Sequence, residues 1–213
     1  MQKRFNLSKY GQYKKDIFEK LNFNFEPGKK ILDVGCGDGS DMEIFINEYN
    51  LNSYGIDIYK HKNIDKLGIN FNKAGILNIP FDNEDFDYVF LHDVLHHIDE
   101  EHQNCEKHIR GLQELKRVCR KGGYIIILEA NRYNILSYPH MVLMRRHNHF
   151  TQIYFKKILK DIFGENINFR SFEAHLYPSK LLKLFKIYEF FMEHIKILAA
   201  FRDYNLAIIK NDK

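Results

Sequence analysis

Three glycines at alternate positions, Gly35, Gly37 and Gly39, follow the apolar run KILDV at 30–34, and a carboxylate, Asp57, ends a second apolar run at 53–57. Glycine clears side chains from the backbone, and a helix beginning just beyond aims unpaired amides and a partial positive charge into the gap. Such a loop accepts a polar or anionic group. Asp57 stands one strand over, where its carboxylate can accept both hydroxyls of a ribose, so loop and carboxylate together point to a nucleoside-bearing ligand. A dinucleotide calls for a further glycine at position 40, to bring helix and strand together behind a pyrophosphate. Position 40 is Ser40.

Imidazole is the side chain best suited to moving protons near neutral pH, and His92 and His97 flank the end of the apolar run at 86–91. These two are the candidate catalytic groups. His96, between them, reads as a packing residue. His140, His147 and His149 have no Asp or Glu nearby in sequence at ligand spacing, so they read as a solvated basic loop and no metal site is expected. Cys36, Cys105 and Cys119 form neither an even disulfide framework nor a Cys-x-x-Cys pair, which favours a reducing, cytoplasmic setting.

The elements that must position these groups follow from hydrophobic patterning. Apolar or extended runs at 30–34, 53–57, 70–74, 86–91, 124–129, 166–176 and 204–210 read as strands. Stretches at 14–23, 40–50, 60–67, 101–120, 151–163 and 179–198 read as helices. Ser40 or Asp41 is expected to cap the second helix, and Gly122-Gly123 to close the long one at 101–120. Strands that are continuously apolar and alternate with helices imply an α/β fold: a Rossmann-like, doubly wound, mostly parallel seven-stranded sheet with helices on both faces, a three-layer α/β/α sandwich.

The chain has 213 residues, 32 basic and 28 acidic, for a net charge of +4. That excess is too slight for a dedicated nucleic-acid binder. No apolar run reaches the ~18 residues of a membrane span, and the opening sixteen residues lack the apolar stretch of a signal peptide. The 179–198 helix is apolar over a wide arc and carries Lys180, Lys183 and Lys186. It reads foremost as core and lid, with a membrane surface or a greasy substrate as the other reading.

The run ILDVGCGDG at 31–39 with Asp57, the segment NIPFDNEDFDYV at 78–89, VLHHI at 94–98 and LKRV at 115–118 together resemble the class I S-adenosylmethionine-dependent methyltransferases. The resemblance implies S-adenosylmethionine as cofactor, with Gly35, Cys36 and Gly37 against its methionine part. Asp33 would orient the loop and the cofactor amino group, Asp57 would hold the ribose, and Ile58 would pack on the adenine. Where many members place an Asp for the adenine amino group this chain has Gly75, which leaves the amides near Ile76 and Leu77, or a water. His92 matches a position near the sulfonium. The segment Glu129 to Asn134 is similar to a Glu-Pro-Asn segment of small-molecule members, with Ala130 in place of the proline, and offers Glu129, Asn131 and Tyr133 as substrate contacts.

In methyl transfer from a sulfonium, positioning is worth ~7 to 11 kcal/mol, more than one general base supplies, so no strong base is obligatory. His92-Asp93-Val94-Leu95 stands where amino methylases of adenine carry Asn-Pro-Pro-Tyr, and no Pro-Cys nucleophile is present. The expected activity is therefore methylation of an oxygen or nitrogen of a small, hydrophobic or lipid-linked molecule. A methyltransferase-like binding subunit without catalysis is the alternative, and RNA methylation stands third. The expected organisation is one domain over 1–213, with a cap at 1–29, a cofactor-binding half at 30–130 and a substrate-side half with lid at 131–213. No transmembrane segment is expected, a peripheral membrane contact stays open, and the sequence carries no signal of oligomeric state.

Overall fold

The computed structural model describes residues 10–175 and 179–212, so Leu176, the end of the extended run read at 166–176, lies outside the described residues. Among the described residues seven strands form one sheet in the order β3-β2-β1-β4-β5-β7-β6. They are β1 (Lys30–Val34), β2 (Asn52–Asp57), β3 (Asn70–Lys73), β4 (Phe86–His92), β5 (Cys119–Ala130), β6 (Ile167–Phe172) and β7 (Tyr204–Lys210). The first five run parallel, and β7 inserts antiparallel between β5 and β6. The α-helices among the described residues are α1 (Gly11–Leu21), α2 (Ser40–Asn47), α3 (Lys62–Leu67), α4 (Cys105–Val118), α5 (Gln152–Phe163) and α6 (Leu182–His194). The sheet is the mostly parallel, doubly wound one expected.

Two apolar clusters bury its faces. Leu32, Val34, Val89, Leu91, Ile125 and Ile127 meet α4 and α5 through Leu112, Leu115, Phe155 and Ile158. Alternate residues of the same strands, Ile31, Phe90, Ile126 and Leu128, meet α1 and α2 through Ile17, Phe18, Leu21 and Phe45. Phe18 and Phe45 contact edge to face with centroids 5.5 Å apart, an arrangement worth ~1 kcal/mol beyond the area buried. Helix α1 is thus a packed part of the sandwich. Among the described residues no helix is long and apolar enough to cross a membrane.

Two local expectations are corrected. The N-cap of α2 is Gly39, left-handed at φ +82°, and Asp38 rather than Ser40 or Asp41 accepts a first-turn amide, from Ser40. The long helix ends at Val118, because Gly122 and Gly123 belong to β5 itself. A Cβ at Gly123 would stand 2.6 Å from the Asp87 carbonyl, so glycine there permits close strand approach instead of closing a helix. The irregular stretch after β5 contains a π-helical turn, Tyr138–Met144, before the Thr151 hydroxyl caps α5 by accepting the Tyr154 amide at 3.2 Å.

Helix α6 does not serve as core. It buries Met192 and Glu189, the latter ion-paired to Lys20 and to Lys186, while Leu184, Ile187, Phe190 and Phe191 are each more than half exposed. Its polar side faces α1, where Lys186 also meets Asp16 at 2.9 Å. Its apolar arc faces outward, continued by Ile195 and by Ile197, which is 80% exposed.

Candidate functional site

The crossover direction reverses between β1 and β4, and a cavity of about 640 Å³ opens beyond the carboxyl ends of β1, β2 and β4. Ligands of open α/β sheets bind at this switch point. Gly35, Asp57, Ile58, Ile76, Leu77 and His97 all line it, joined by Asp93, Val94 and Ile98. Asp33, Cys36, Gly37 and His92 are not in its wall.

The loop after β1 is shaped by backbone bonds. The amides of Gly35 and Cys36 both donate to the Ile56 carbonyl, at 2.8 and 3.0 Å, which pins the loop against β2. Gly35 takes φ +74°, and a Cβ on it would lie 2.3 Å from Val94 Cγ2, so only glycine fits between loop and opposite wall. Cys36 turns its side chain away, into a small cluster with Met42 and Ile64, and burial pushes its thiol well up. The opposite wall is fastened by Arg117, whose guanidinium donates to the carbonyls of Ile79 and Phe81 at 2.8 Å each, just beyond Ile76 and Leu77.

Asp57 is half-buried at the end of β2. Its Oδ2 accepts the Gly37 amide at 2.9 Å and its Oδ1 accepts the Tyr59 amide at 3.0 Å. A carboxylate has about four lone-pair sites, so capacity remains for hydroxyl donors. Asp33, directly before the glycine loop, is buried, and its Oδ2 has no hydrogen-bond partner. Burial and then the facing Asp41 carboxylate push Asp33 well above the usual carboxylate range. A partnerless buried oxygen beside the loop, a carboxylate at the strand end and apolar walls at Ile58, Ile76 and Leu77 fit a ligand with an ammonium, a ribose and an adenine.

His92 sits in a buried polar chain. Its Nδ1 donates to Asp41 Oδ2 at 3.0 Å and its Nε2 lies 3.2 Å from Tyr13 Oη. Tyr13 meets the Tyr204 hydroxyl at 2.6 Å, and Tyr204 donates to Asp93 Oδ2 at 2.6 Å, so the chain runs from α1 to the cavity wall. Asp93 holds a left-handed φ of 56° and also accepts the Ala130 amide through Oδ1 at 2.8 Å. Sequence reasoning passed over Asp93, Tyr13 and Tyr204. The one available signal was an Asp, a residue that tolerates this conformation, directly after a parallel strand.

Glu129 is fully buried and spent on structure: Oε1 accepts the amides of Val94 and Leu95, and Oε2 accepts His96 Nδ1 at 2.6 Å. Asn131 is likewise buried, donating to the carbonyls of Ala200 and Arg202, whereas Tyr133 is exposed. Neither Glu129 nor Asn131 is left open as a substrate contact. The solvated-loop reading of the later histidines holds for His140 only. His147 and His149 pack against His96, burial pushes His149 down to about 3, and His147 pairs with Glu100.

Seven strands in this order, with a glycine loop after the first and an acidic residue ending the second, define the class I S-adenosylmethionine-dependent methyltransferase fold. Residues 32–127, a little under half of the chain, match the family described as "Methyltransferase domain". A demethylmenaquinone methyltransferase of Staphylococcus saprophyticus is 27% identical over 60% of this chain and 56% of its own length. A phthiotriol/phenolphthiotriol dimycocerosates methyltransferase of Mycobacterium leprae is 34% identical over 50% of this chain and 40% of its own length. The chain thus spans about half the length of these curated relatives. Among solved structures, a SAM dependent methyltransferase from Archaeoglobus fulgidus superposes with a TM-score of 0.67 at 18% identity, covering 92% of both chains. Phosphoethanolamine N-methyltransferase 2 of Haemonchus contortus, solved with S-adenosyl-L-methionine, gives 0.64 at 15% identity, covering 93% of this chain and 52% of that one.

Proposed function

We propose that this protein transfers a methyl group from S-adenosylmethionine to an oxygen or nitrogen of a small apolar acceptor that it meets at a lipid surface. The observation that carries the cofactor half is the convergence of Gly35, Asp57 and the apolar Ile58, Ile76 and Leu77 on one cavity. The acceptor half rests on the outward apolar arc of α6 and on relatives whose names specify demethylmenaquinone and dimycocerosate substrates.

Bound in the cavity, the cofactor supplies a methyl group on a sulfonium. Asp57 would accept the ribose hydroxyls, Asp33, buried behind the wall, would orient the loop towards the cofactor's amino group, and the amides near Ile76 and Leu77 would meet the adenine edge where Gly75 offers no side chain. The Gly35 backbone lets the ligand lie against the loop. His97 is half-exposed in the cavity wall, and its Nδ1 donates to Glu100 Oε2 at 3.1 Å, which leaves Nε2 free to accept a proton from an acceptor hydroxyl. His92, with both nitrogens engaged below the wall, positions Tyr13 and Asp41 instead.

Incubating the protein with methyl-labelled cofactor and either a lipid extract or an aqueous cell extract tests the reading. Label recovered in the organic phase is expected. Calorimetric binding of the cofactor with no transfer from either extract overturns the catalytic reading in favour of a binding subunit, and label confined to aqueous products overturns the lipid one.

A further inference from the structure

The histidines behind the cavity form a cluster that the methyl-transfer reading leaves unused. His96 and His147 face each other Nε2 to Nε2 at 3.1 Å. Each has its other nitrogen anchored on a carboxylate: His96 Nδ1 donates to Glu129 Oε2 at 2.6 Å, and His147 Nδ1 to Glu100 Oε1 at 2.5 Å. With the proton of each neutral ring on Nδ1, two Nε2 lone pairs point at one another with no hydrogen between them. That is unfavourable unless a further proton or a metal cation sits there. His149 packs on both rings, at centroid distances of 4.8 Å to His96 and 4.6 Å to His147. It is only 7% exposed, and its Nδ1 has no hydrogen-bond partner.

An imidazole whose distal N–H is fixed by a carboxylate is the arrangement that orients metal-ligating histidine. One nitrogen from each of the three rings lies within 4.8 Å of the other two. Tetrahedral zinc with Zn–N of about 2.0 to 2.1 Å sets ligand nitrogens about 3.3 Å apart, so closing the set takes an inward shift of at most about 1.5 Å. An all-nitrogen set selects zinc, cobalt or nickel over magnesium or calcium.

We propose that His96 Nε2, His147 Nε2 and one ring nitrogen of His149 bind a divalent transition metal of the zinc type, with Glu129 and Glu100 as the carboxylates that orient its ligands. Three protein ligands leave a fourth position for water or another donor. The site ties the segment that carries His147 and His149, between β5 and α5, to the turn after β4. His97, whose ring lies 4.2 Å from that of His96, separates it from the cavity. The competing occupant of the gap is a proton shared between the two Nε2 atoms.

The test uses the full chain stripped with chelator, titrated with zinc chloride by calorimetry and with cobalt chloride by visible absorption. One equivalent is expected, with the intense absorption of tetrahedral cobalt. Affinity should fall about 100-fold or more in His147→Ala and His149→Ala, and about 10- to 100-fold in Glu100→Gln, which keeps all three rings. His140→Ala, outside the cluster, should leave it unchanged, and urea unfolding of each variant separates lost binding from lost folding. Absence of saturable binding, or affinity indifferent to both His147→Ala and Glu100→Gln, overturns the metal site and leaves the gap to a proton. Because the readout is the metal itself, the result is independent of whether methyl transfer is found.

Discussion

The amide of Gly37 donates to Asp57 Oδ2 at 2.9 Å, so the glycine loop after β1 and the carboxylate ending β2 are one bonded unit. The carboxylate is held in place by the loop it serves. Asp57 Oδ1 is fixed in turn by the Tyr59 amide, and its remaining lone pairs face the cavity that Asp57 lines.

Replacing Asp57 with Ala removes a charged acceptor for two hydroxyls and the anchor of the loop at once. Hydrogen bonds to a charged group are worth about 1.5 to 3 kcal/mol each, so calorimetry should show cofactor affinity reduced by about 100-fold or more. Asp57→Asn keeps one acceptor oxygen and should fall between. Unchanged affinity in Asp57→Ala would remove the ribose from this position.

Gly35→Ala should fail for two separable reasons, the left-handed backbone at φ +74° and the overlap with Val94 Cγ2. Strain of the first kind costs about 1 to 3 kcal/mol. The double variant Gly35→Ala/Val94→Ala removes the overlap with both Val94 methyl groups, leaves a tight contact at 3.3 Å to its Cβ and keeps the strained backbone, so its urea midpoint should recover only part of the loss. Full recovery would show that the conformation itself is unstrained.

The parallel half of the sheet was legible because strands buried on both faces are continuously apolar, as in Lys30–Val34 and Phe86–His92. Glycine and Asp57 were legible because their chemistry lies in residue type and strand-end position. The histidine cluster was not, since His96 and His147 stand 51 positions apart and meet only through tertiary folding. Nor was the orientation of α6. Periodicity marks an apolar arc but does not say which side the fold buries, and here ion pairs from Lys20 and Lys186 to Glu189 draw the polar side inward.

Asp41 and Asp33 are both buried beside the loop yet are pushed in opposite directions, which gives a pH test. Burial raises Asp41, but Lys14 at 2.6 Å and His92 outweigh it and hold the carboxyl well below the usual range. Its stabilising effect is therefore fully present above the unfolded value of about 3.9 and is lost as pH falls towards the lower folded value. Asp41→Asn should be destabilised at pH 7 and should lose less on acidification than the parent. Asp33 is raised, so its effect has the other sign: it is present at low pH and lost as pH rises through the folded value. Asp33→Asn should gain stability at pH 7 in urea titrations while binding cofactor more weakly. A loss of stability at pH 7 in Asp33→Asn would contradict this sign.

The outward arc of α6 makes the lipid-surface reading open to direct test. Leu184, Ile187, Phe190 and Phe191 are exposed on a helix flanked by the exposed Lys180, Lys183 and Lys196, the pairing of apolar face and basic rim that suits an anionic bilayer surface. Each lysine near such a surface is worth about 1 kcal/mol, and each buried apolar side chain about 1.5 to 3 kcal/mol. The protein should therefore sediment with vesicles of phosphatidylcholine containing phosphatidylglycerol, and less with phosphatidylcholine alone or at high salt. Ile187→Ser/Phe191→Ser should reduce sedimentation about 100-fold or more on these figures. Because both side chains already face solvent, the urea midpoint of that variant should stay close to the parent's, or rise. Equal sedimentation by parent and variant would mean that this arc is not the surface that meets lipid, whereas a collapse of stability would show that it is packed after all.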